Sequence, residues 1–358
     1  MTVFACAGCS AVLSAPVRQV ALPAHAHQMW GNGVRMPVLM AEGTYAVDRE
    51  PSGPPWRRWE ELSEQGASRR GIYAPVYTVS FGTPGAIVIA PGDARGTVFI
   101  PERLSGYCCG LDGGDGPNLA CIQCGRPVAS RIDDCSLWQA VWLAPDAVHA
   151  QASGDTTDHR ANWADMSPGV QPVDESGEWS PAWAAAAGAV LAHLLAVSEN
   201  TPIAVPKGMC EVLLAPSLQA LLPGAPVKRA ALAGPDLPAA PTGTDILLVP
   251  QNPGTGAPWR PAVPTATAPV PAEIWAHLAA PPLHARLTRT PGRLPADTWA
   301  DIPSQYQPRY PFHPDLRVFL STLAHLPTVR QPWLRAIYDR VAREPYSPLS
   351  HLPPSQRT

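Results

Sequence analysis

Proline sets the first limit on this chain. It fills 45 of 358 positions, about one residue in eight against about one in twenty on average. Each proline fixes φ and removes a backbone donor, so long helices and central strands must be few or confined to proline-free stretches. A wholly disordered chain is excluded, because 46% of the residues are hydrophobic and 15% charged, which is enough to build cores. The length suggests two compact units with room for a small third. A net charge of −3 gives no global attraction to a phosphate backbone. Only Lys207 and Lys228 are lysines among the 26 basic residues. That skew accompanies the Ala, Pro and Gly content and is not read as a sign of anion recognition.

Between the prolines the pattern suggests an α+β fold: a β-rich N-terminal domain, then a smaller α/β and helical C-terminal part. In the first domain, residues 1–150, short apolar runs at 17–22, 34–40, 45–47, 73–81, 86–90, 97–100 and 137–143 alternate with Gly- and Pro-rich turns. That spacing suggests a small barrel or sandwich. One short helix is expected at 56–65, with Glu60, Glu61 and Glu64 as its solvated face. Residues 151–180 are polar and read as a linker. Ser180 and Pro181 then start an Ala-rich helix reaching Ser198. It is apolar on every side and so expected to be buried. It opens a small α/β unit over 181–252. Residues 253–311 read as a Pro-rich arm, with Trp259, Trp275 and Trp299 favouring packing over free flexibility. Over 312–345 a helical hairpin is expected. Leu316, Phe319, Leu320 and Leu323 share one face, as do Leu334, Ile337, Tyr338 and Val341.

The chemistry-bearing signal is cysteine. Of eight, four form two C-x2-C pairs, Cys6-Ala7-Gly8-Cys9 and Cys121-Ile122-Gln123-Cys124. Two intervening residues let both thiolates of a pair face one ion from a tight turn, and two such turns complete a closed tetrahedral shell. The two turns, with the residues that follow them to Leu13 and Val128, resemble the knuckles of a zinc ribbon. That resemblance implies Cys6, Cys9, Cys121 and Cys124 as ligands of a structural zinc. Ser10 departs from the usual Gly, and 111 residues separate the pairs. Closing so long a loop costs about 4 kcal/mol, whereas four-ligand zinc binding supplies about 10–16 kcal/mol, so the metal wins. The intervening residues are then expected to be an insertion folded between the knuckles. A competing local set, Cys109, Cys121, Cys124 and Cys135, avoids the long closure but strands Cys6 and Cys9. Cys210, beside Met209, reads as a buried small hydrophobe.

Three further clusters bear on function. Cys108, Cys109, Asp112, Asp115 and Asn118 share a glycine-rich loop, and Arg131, Asp133, Asp134 and Cys135 follow it. They could make an enzyme site for a hydrolase or transferase, or a hard-cation loop. The plainer readings are turns in which Asp and Asn bond the backbone and an Arg–Asp pair. His25 and His27 would share one face of a strand and could hold metal; loop histidines are the simpler account. Trp56, Arg57, Arg58 and Trp59, with Arg69 and Arg70, could stack and neutralise nucleic acid.

The longest apolar run, residues 182–197, falls short of about 20 residues, so no membrane span is expected. Residues 6–9 resemble a lipoprotein cleavage box, but only residues 2–5 lie between the initiator and the box and no Lys or Arg precedes Arg18, so a targeting role is not expected. The chain therefore reads as a cytoplasmic, zinc-stabilised scaffold or adaptor that binds another protein. Enzyme and nucleic-acid-binding readings stand as alternatives.

Overall fold

The structure is a computed structural model that describes residues 1–27, 38–104, 106, 110–134, 137–152, 163, 166, 171–174, 176–279 and 308–343. Cys108, Cys109, Cys135 and Trp299, and about half of both the expected linker and the expected arm, lie outside the described residues. The fold is α+β and divides into two compact units, Met1–Ala164 with Pro253–Gly256, and Asp165–Asn252 with Ala257–Thr358.

The N-terminal unit is built on strands β1 (Thr2–Cys6), β2 (Arg18–Gln19), β3 (Thr44–Asp48), β4 (Trp56–Arg58), β5 (Thr78–Ser80), β6 (Ala86–Ile89), β7 (Thr97–Phe99), β8 (Leu119–Cys121), β9 (Pro127–Ile132), β10 (Ala140–Leu143) and β11 (Val148–Ala152). Seven of them form one sheet in the order β2-β3-β6-β10-β9-β8-β7, antiparallel except for β2 with β3. β1 pairs with β11, and β4 with β5.

The central strands carry apolar residues on both faces, as a doubly covered sheet requires. Ile89, Val141 and Leu143 join Phe4, Leu13 and Val128 in one core. Val88, Ala140 and Trp142 join Ala46, Leu39, Met40 and Ile132 in the other. Burying each large aliphatic side chain contributes about 1.5–3 kcal/mol, so the two cores hold the sheet between them.

The expected runs at 45–47, 86–90, 97–100 and 137–143 coincide with β3, β6, β7 and β10. The helix expected at 56–65 does not form as such. Trp56–Arg58 pairs as a strand with β5, and a 3-10 turn follows at Trp59–Glu61. Helix α1 covers only Glu64–Ser68, capped by Ser63, whose hydroxyl accepts the Gly66 N–H. The pairing with β5 and a bond from the Trp56 Nε1 to the Ser52 carbonyl at 3.0 Å outweigh the weak helical preference of this short segment.

The C-terminal unit has four parallel strands, β12 (Ile203–Ala204), β13 (Lys228–Leu232), β14 (Ile246–Pro250) and β15 (Ala266–Val270), in sequential order. α2 (Pro181–Ser198) packs on β15 and on α5 (Leu316–Ala324). α3 (Met209–Leu221) crosses between β12 and β13, and α4 (Ala272–Ala279) follows β15. α6 (Pro332–Arg343) buries Leu334, Ile337, Tyr338 and Val341, the expected stripe. β15 and α4 arise inside the stretch read as an arm. Trp275 of α4 is buried there and donates from Nε1 to the Leu248 carbonyl.

α2 is 18 residues long and apolar enough to cross a membrane by length and composition, more than the run of 16 suggested. Two thirds of it is buried inside the unit, which is the signature of a core helix. Gly188 sets its closest approach: a Cβ there would strike the Asp315 carbonyl oxygen. Asp315 caps α5 by accepting the Arg317 and Val318 N–H groups, and its own N–H meets the Ala184 carbonyl of α2 at 2.8 Å.

Several prolines among the described residues fall where they cost little. Pro181 and Pro332 open helices, Pro91, Pro101 and Pro327 open 3-10 turns, Pro127 begins β9, and Pro269 sits on the edge strand β15. Pro216, inside α3, is an exception.

Candidate metal centre

Two turns of the same design close the site. The first leaves β1 at Cys6, and the second joins β8 to β9 at Cys121. In the first, the Ser10 N–H donates to the Cys6 carbonyl and the Cys6 N–H to the Ala11 carbonyl, both at 2.8 Å. In the second, Gly125 donates to Cys121 and Cys121 to Arg126, again at 2.8 Å. The fifth residue of each turn is left-handed, Ser10 at φ 61° and Gly125 at φ 72°. Glycine meets that requirement freely, whereas serine carries the strain of a Cβ. The departure seen at Ser10 therefore alters strain and leaves the turn's shape intact.

The four sulfurs lie within 4.8 Å of one another. Cys6 Sγ is 3.6 Å from Cys124 Sγ, and Cys9 Sγ is 3.6 Å from Cys121 Sγ. A disulfide needs about 2.05 Å, so these are separate thiols. A tetrahedral four-sulfur shell with metal–sulfur bonds of about 2.3 Å has edges of about 3.8 Å, which is the size of this cluster. Cys6 and Cys121 are buried within the first core, while Cys9 and Cys124 are exposed. One side of the cluster is thus fixed by packing, and the other faces solvent.

The electrostatics fit a waiting cation. Burial acts to raise the Cys6 thiol, but the N–H groups of Gly8 and Cys9 and the Cys124 and Cys9 sulfurs together bring it down to about 7. At Cys9 the Ala11 N–H acts to lower the thiol, yet burial and the sulfurs of Cys121, Cys124 and Cys6 push it up to about 12. One thiolate forms readily, and further ones need a positive charge among them.

The residues between the knuckles are not a separate insertion. They supply β2, β3, β6 and β7 of the same sheet that carries the second knuckle. The strand leaving the first knuckle returns along β1, with Leu13 N–H donating to the Phe4 carbonyl at 2.8 Å, and the buried Ser14 hydroxyl accepts the Phe4 N–H. Gly96 tightens this layer, since a Cβ there would strike the Val12 carbonyl oxygen.

The other candidates take structural places. Asp112 Oδ1 accepts the Gly114 N–H at 2.8 Å. Asn118 is buried and bonds Arg131 twice, Nδ2 to its carbonyl and Oδ1 from its N–H. Both side chains serve the loop, as the plainer reading expects, and Arg131 lies 3.6 Å from Asp133. The local ligand set cannot be placed, because Cys109 and Cys135 lie outside the described residues. His25 and His27 sit in a 3-10 turn, Ala24–His27, instead of a strand, so alternation does not bring their rings to one face. The His25 ring packs on Trp138 at 4.4 Å, and burial lowers its pKa to about 4. In the basic aromatic cluster, Arg57 and Arg70 lie over the Phe81 ring at 4.4 and 3.6 Å. Cys210 is buried in α3, where burial pushes its thiol up to about 12.

Among the described residues, the four cysteines are the group placed to hold a metal ion. No family model, curated protein or solved structure matches this chain.

Proposed function

We propose that Cys6, Cys9, Cys121 and Cys124 hold a structural zinc in a zinc-ribbon-type pair of knuckles, and that the protein is a cytoplasmic, non-catalytic scaffold that binds another protein. The observation that carries this reading is the convergence of four sulfurs within 4.8 Å from two turns of identical bonding. Four thiolates fill a tetrahedral shell and leave no open position for a substrate, which is how structural and catalytic zinc differ. Sulfur donors favour zinc over calcium or magnesium, and a reducing compartment keeps them available. A protein partner is supported by the sheet edge at β7, where Val98 and Phe99 are exposed beside exposed Leu104 and Ile122. Exposed apolar edges are sites for pairing with another chain.

The test is metal analysis of the purified full chain. One zinc per chain is expected, lost in Cys6→Ser and in Cys124→Ser and retained in Cys135→Ser. Zinc lost only in Cys135→Ser, or absent from the wild type, would overturn the ligand set. For the scaffold role, Val98→Lys with Phe99→Lys should abolish partner retention at unchanged zinc content. Identical partners on wild type and variant would count against this surface.

A further inference from the structure

The four cysteines of the N-terminal unit are also two pairs of thiols, each with an exposed and a buried member. Cys9 and Cys124 are exposed, while Cys6 and Cys121 are buried. The 3.6 Å approaches join the exposed sulfur of one knuckle to the buried sulfur of the other: Cys124 to Cys6, and Cys9 to Cys121. Each approach therefore crosses between the knuckles. Solvent reaches one member of each pair, and the packing of the first core fixes the other. A thiol that an oxidant attacks first must be accessible, and the one that closes the bridge must stand beside it. Cys210 has neither property, being buried alone in α3 with its thiol pushed up to about 12.

Closing either pair takes little movement. A disulfide holds its sulfurs about 2.05 Å apart, so each pair has about 1.5 Å to travel. Access is open at the first pair, because the residue beside it is glycine. A Cβ on Gly8 would lie 3.6 Å from Cys124 Sγ and 3.7 Å from Cys6 Sγ, and its absence leaves room for a small oxidant. The connectivity also decides what survives. A bridge within one knuckle closes a loop of four residues and leaves β1 free of the sheet. A bridge between knuckles closes a loop of more than a hundred residues, which constrains the unfolded chain far more. It also keeps β1 beside the turn from β8 to β9, as a shared ion would.

We propose that these cysteines form a peroxide-sensitive modification site, at which oxidation joins Cys6 to Cys124 and Cys9 to Cys121, expels the ion and leaves the two knuckles tied by disulfides. The release of an ion rests on the zinc reading above, whereas the pairing of the sulfurs does not. In each pair the exposed thiolate attacks one oxygen of hydrogen peroxide. An S–O bond forms, the O–O bond breaks and hydroxide leaves. The buried thiolate then attacks the resulting sulfenic sulfur. An S–S bond forms, the S–O bond breaks and a second hydroxide leaves; solvent protonates both to water. Each pair gives up two electrons to one peroxide, so two peroxides convert the four thiolates. Without thiolate ligands the ion departs as the divalent cation.

The test treats the full chain with a small excess of hydrogen peroxide. Zinc release is followed with a chromophoric chelator, and the protein is then alkylated and digested with trypsin. Residues 1–18 carry Cys6 and Cys9, and residues 104–131 carry Cys121 and Cys124, since trypsin passes over Arg126-Pro127. The expected product is these two peptides joined, with fragmentation placing the bonds at Cys6–Cys124 and Cys9–Cys121, and with Cys210 still reduced. Hydrogen exchange should show β1 and β8 protected in the oxidised, zinc-free chain and unprotected once a reductant is added beside the chelator. Bridges confined to Cys6–Cys9 and Cys121–Cys124, or thiols that persist under excess peroxide, would overturn the proposal. Joined peptides from a chain that carried no zinc beforehand would sustain the pairing and count against the zinc reading, so the two fail separately.

Discussion

At the residue scale, the two knuckles provide a matched comparison. Ser10 and Gly125 occupy the same left-handed position, and a non-glycine residue there costs about 1–2 kcal/mol. Ser10→Gly should therefore stabilise the N-terminal unit, and Gly125→Ala should destabilise it by a similar amount, both read from urea unfolding at fixed metal. Asp48 gives a prediction of different character. Its folded pKa of about 6 lies above the ordinary 3.8, so between those values the folded chain keeps a proton that the unfolded chain releases. Stability then falls as pH rises through this window. Asp48→Asn should escape that loss, gaining up to about 3 kcal/mol over wild type near neutrality and little near pH ~4. Unfolding curves at the two pH values check the sign. The cysteines were legible because thiolates at C-x2-C spacing have few other uses. Asp48 was not, because nothing in an acid's sequence neighbours marks it as buried; its place depends on strands that pair across the chain.

At the element scale, Gly188 reverses a familiar rule. Glycine in mid-helix is ordinarily worse than alanine by about 1 kcal/mol. In α2, however, a Cβ would strike the Asp315 carbonyl that begins α5, and overpacking costs about 1–3 kcal/mol. Gly188→Ala is expected to destabilise, which thermal unfolding measures directly. The elements that sequence patterning located were those with local signals: α2 behind its Ser180 and Pro181 start, α6 with its stripe, and β6 and β10 with their apolar runs. β1, β8, β9 and β11 carried no comparable run; their pairing is specified by partners far along the chain. The segment at Trp56 was misread because its acidic residues suit a helix face, while the pairing that makes it a strand lies more than 20 residues away, at Thr78–Ser80.

At the scale of the whole molecule, the metal is expected to decide whether one unit folds. Zinc binding worth about 10–16 kcal/mol is comparable to the entire stability of an ordinary domain, about 5–15 kcal/mol. Chelation should therefore strip hydrogen-exchange protection from β1, β8, β9 and β11 while α2 and β14 keep theirs. Protection that survives chelation throughout would show the cores to be sufficient alone. The α+β class was legible from alternating apolar runs and proline breaks. The placement of β15 and α4 was not, since proline density masks a short edge strand that tolerates Pro269.

The distance between the knuckles also has a temporal meaning. Cys9 precedes Cys121 by more than a hundred residues, and a ribosome adds about 5–20 residues per second. The first thiolate pair thus leaves the exit tunnel on the order of ten seconds before the second exists. During that interval it can bind an ion only incompletely, and it must stay reduced and unclaimed. Nascent chains of this protein are accordingly the stage at which oxidants or competing thiophilic metals would do most damage.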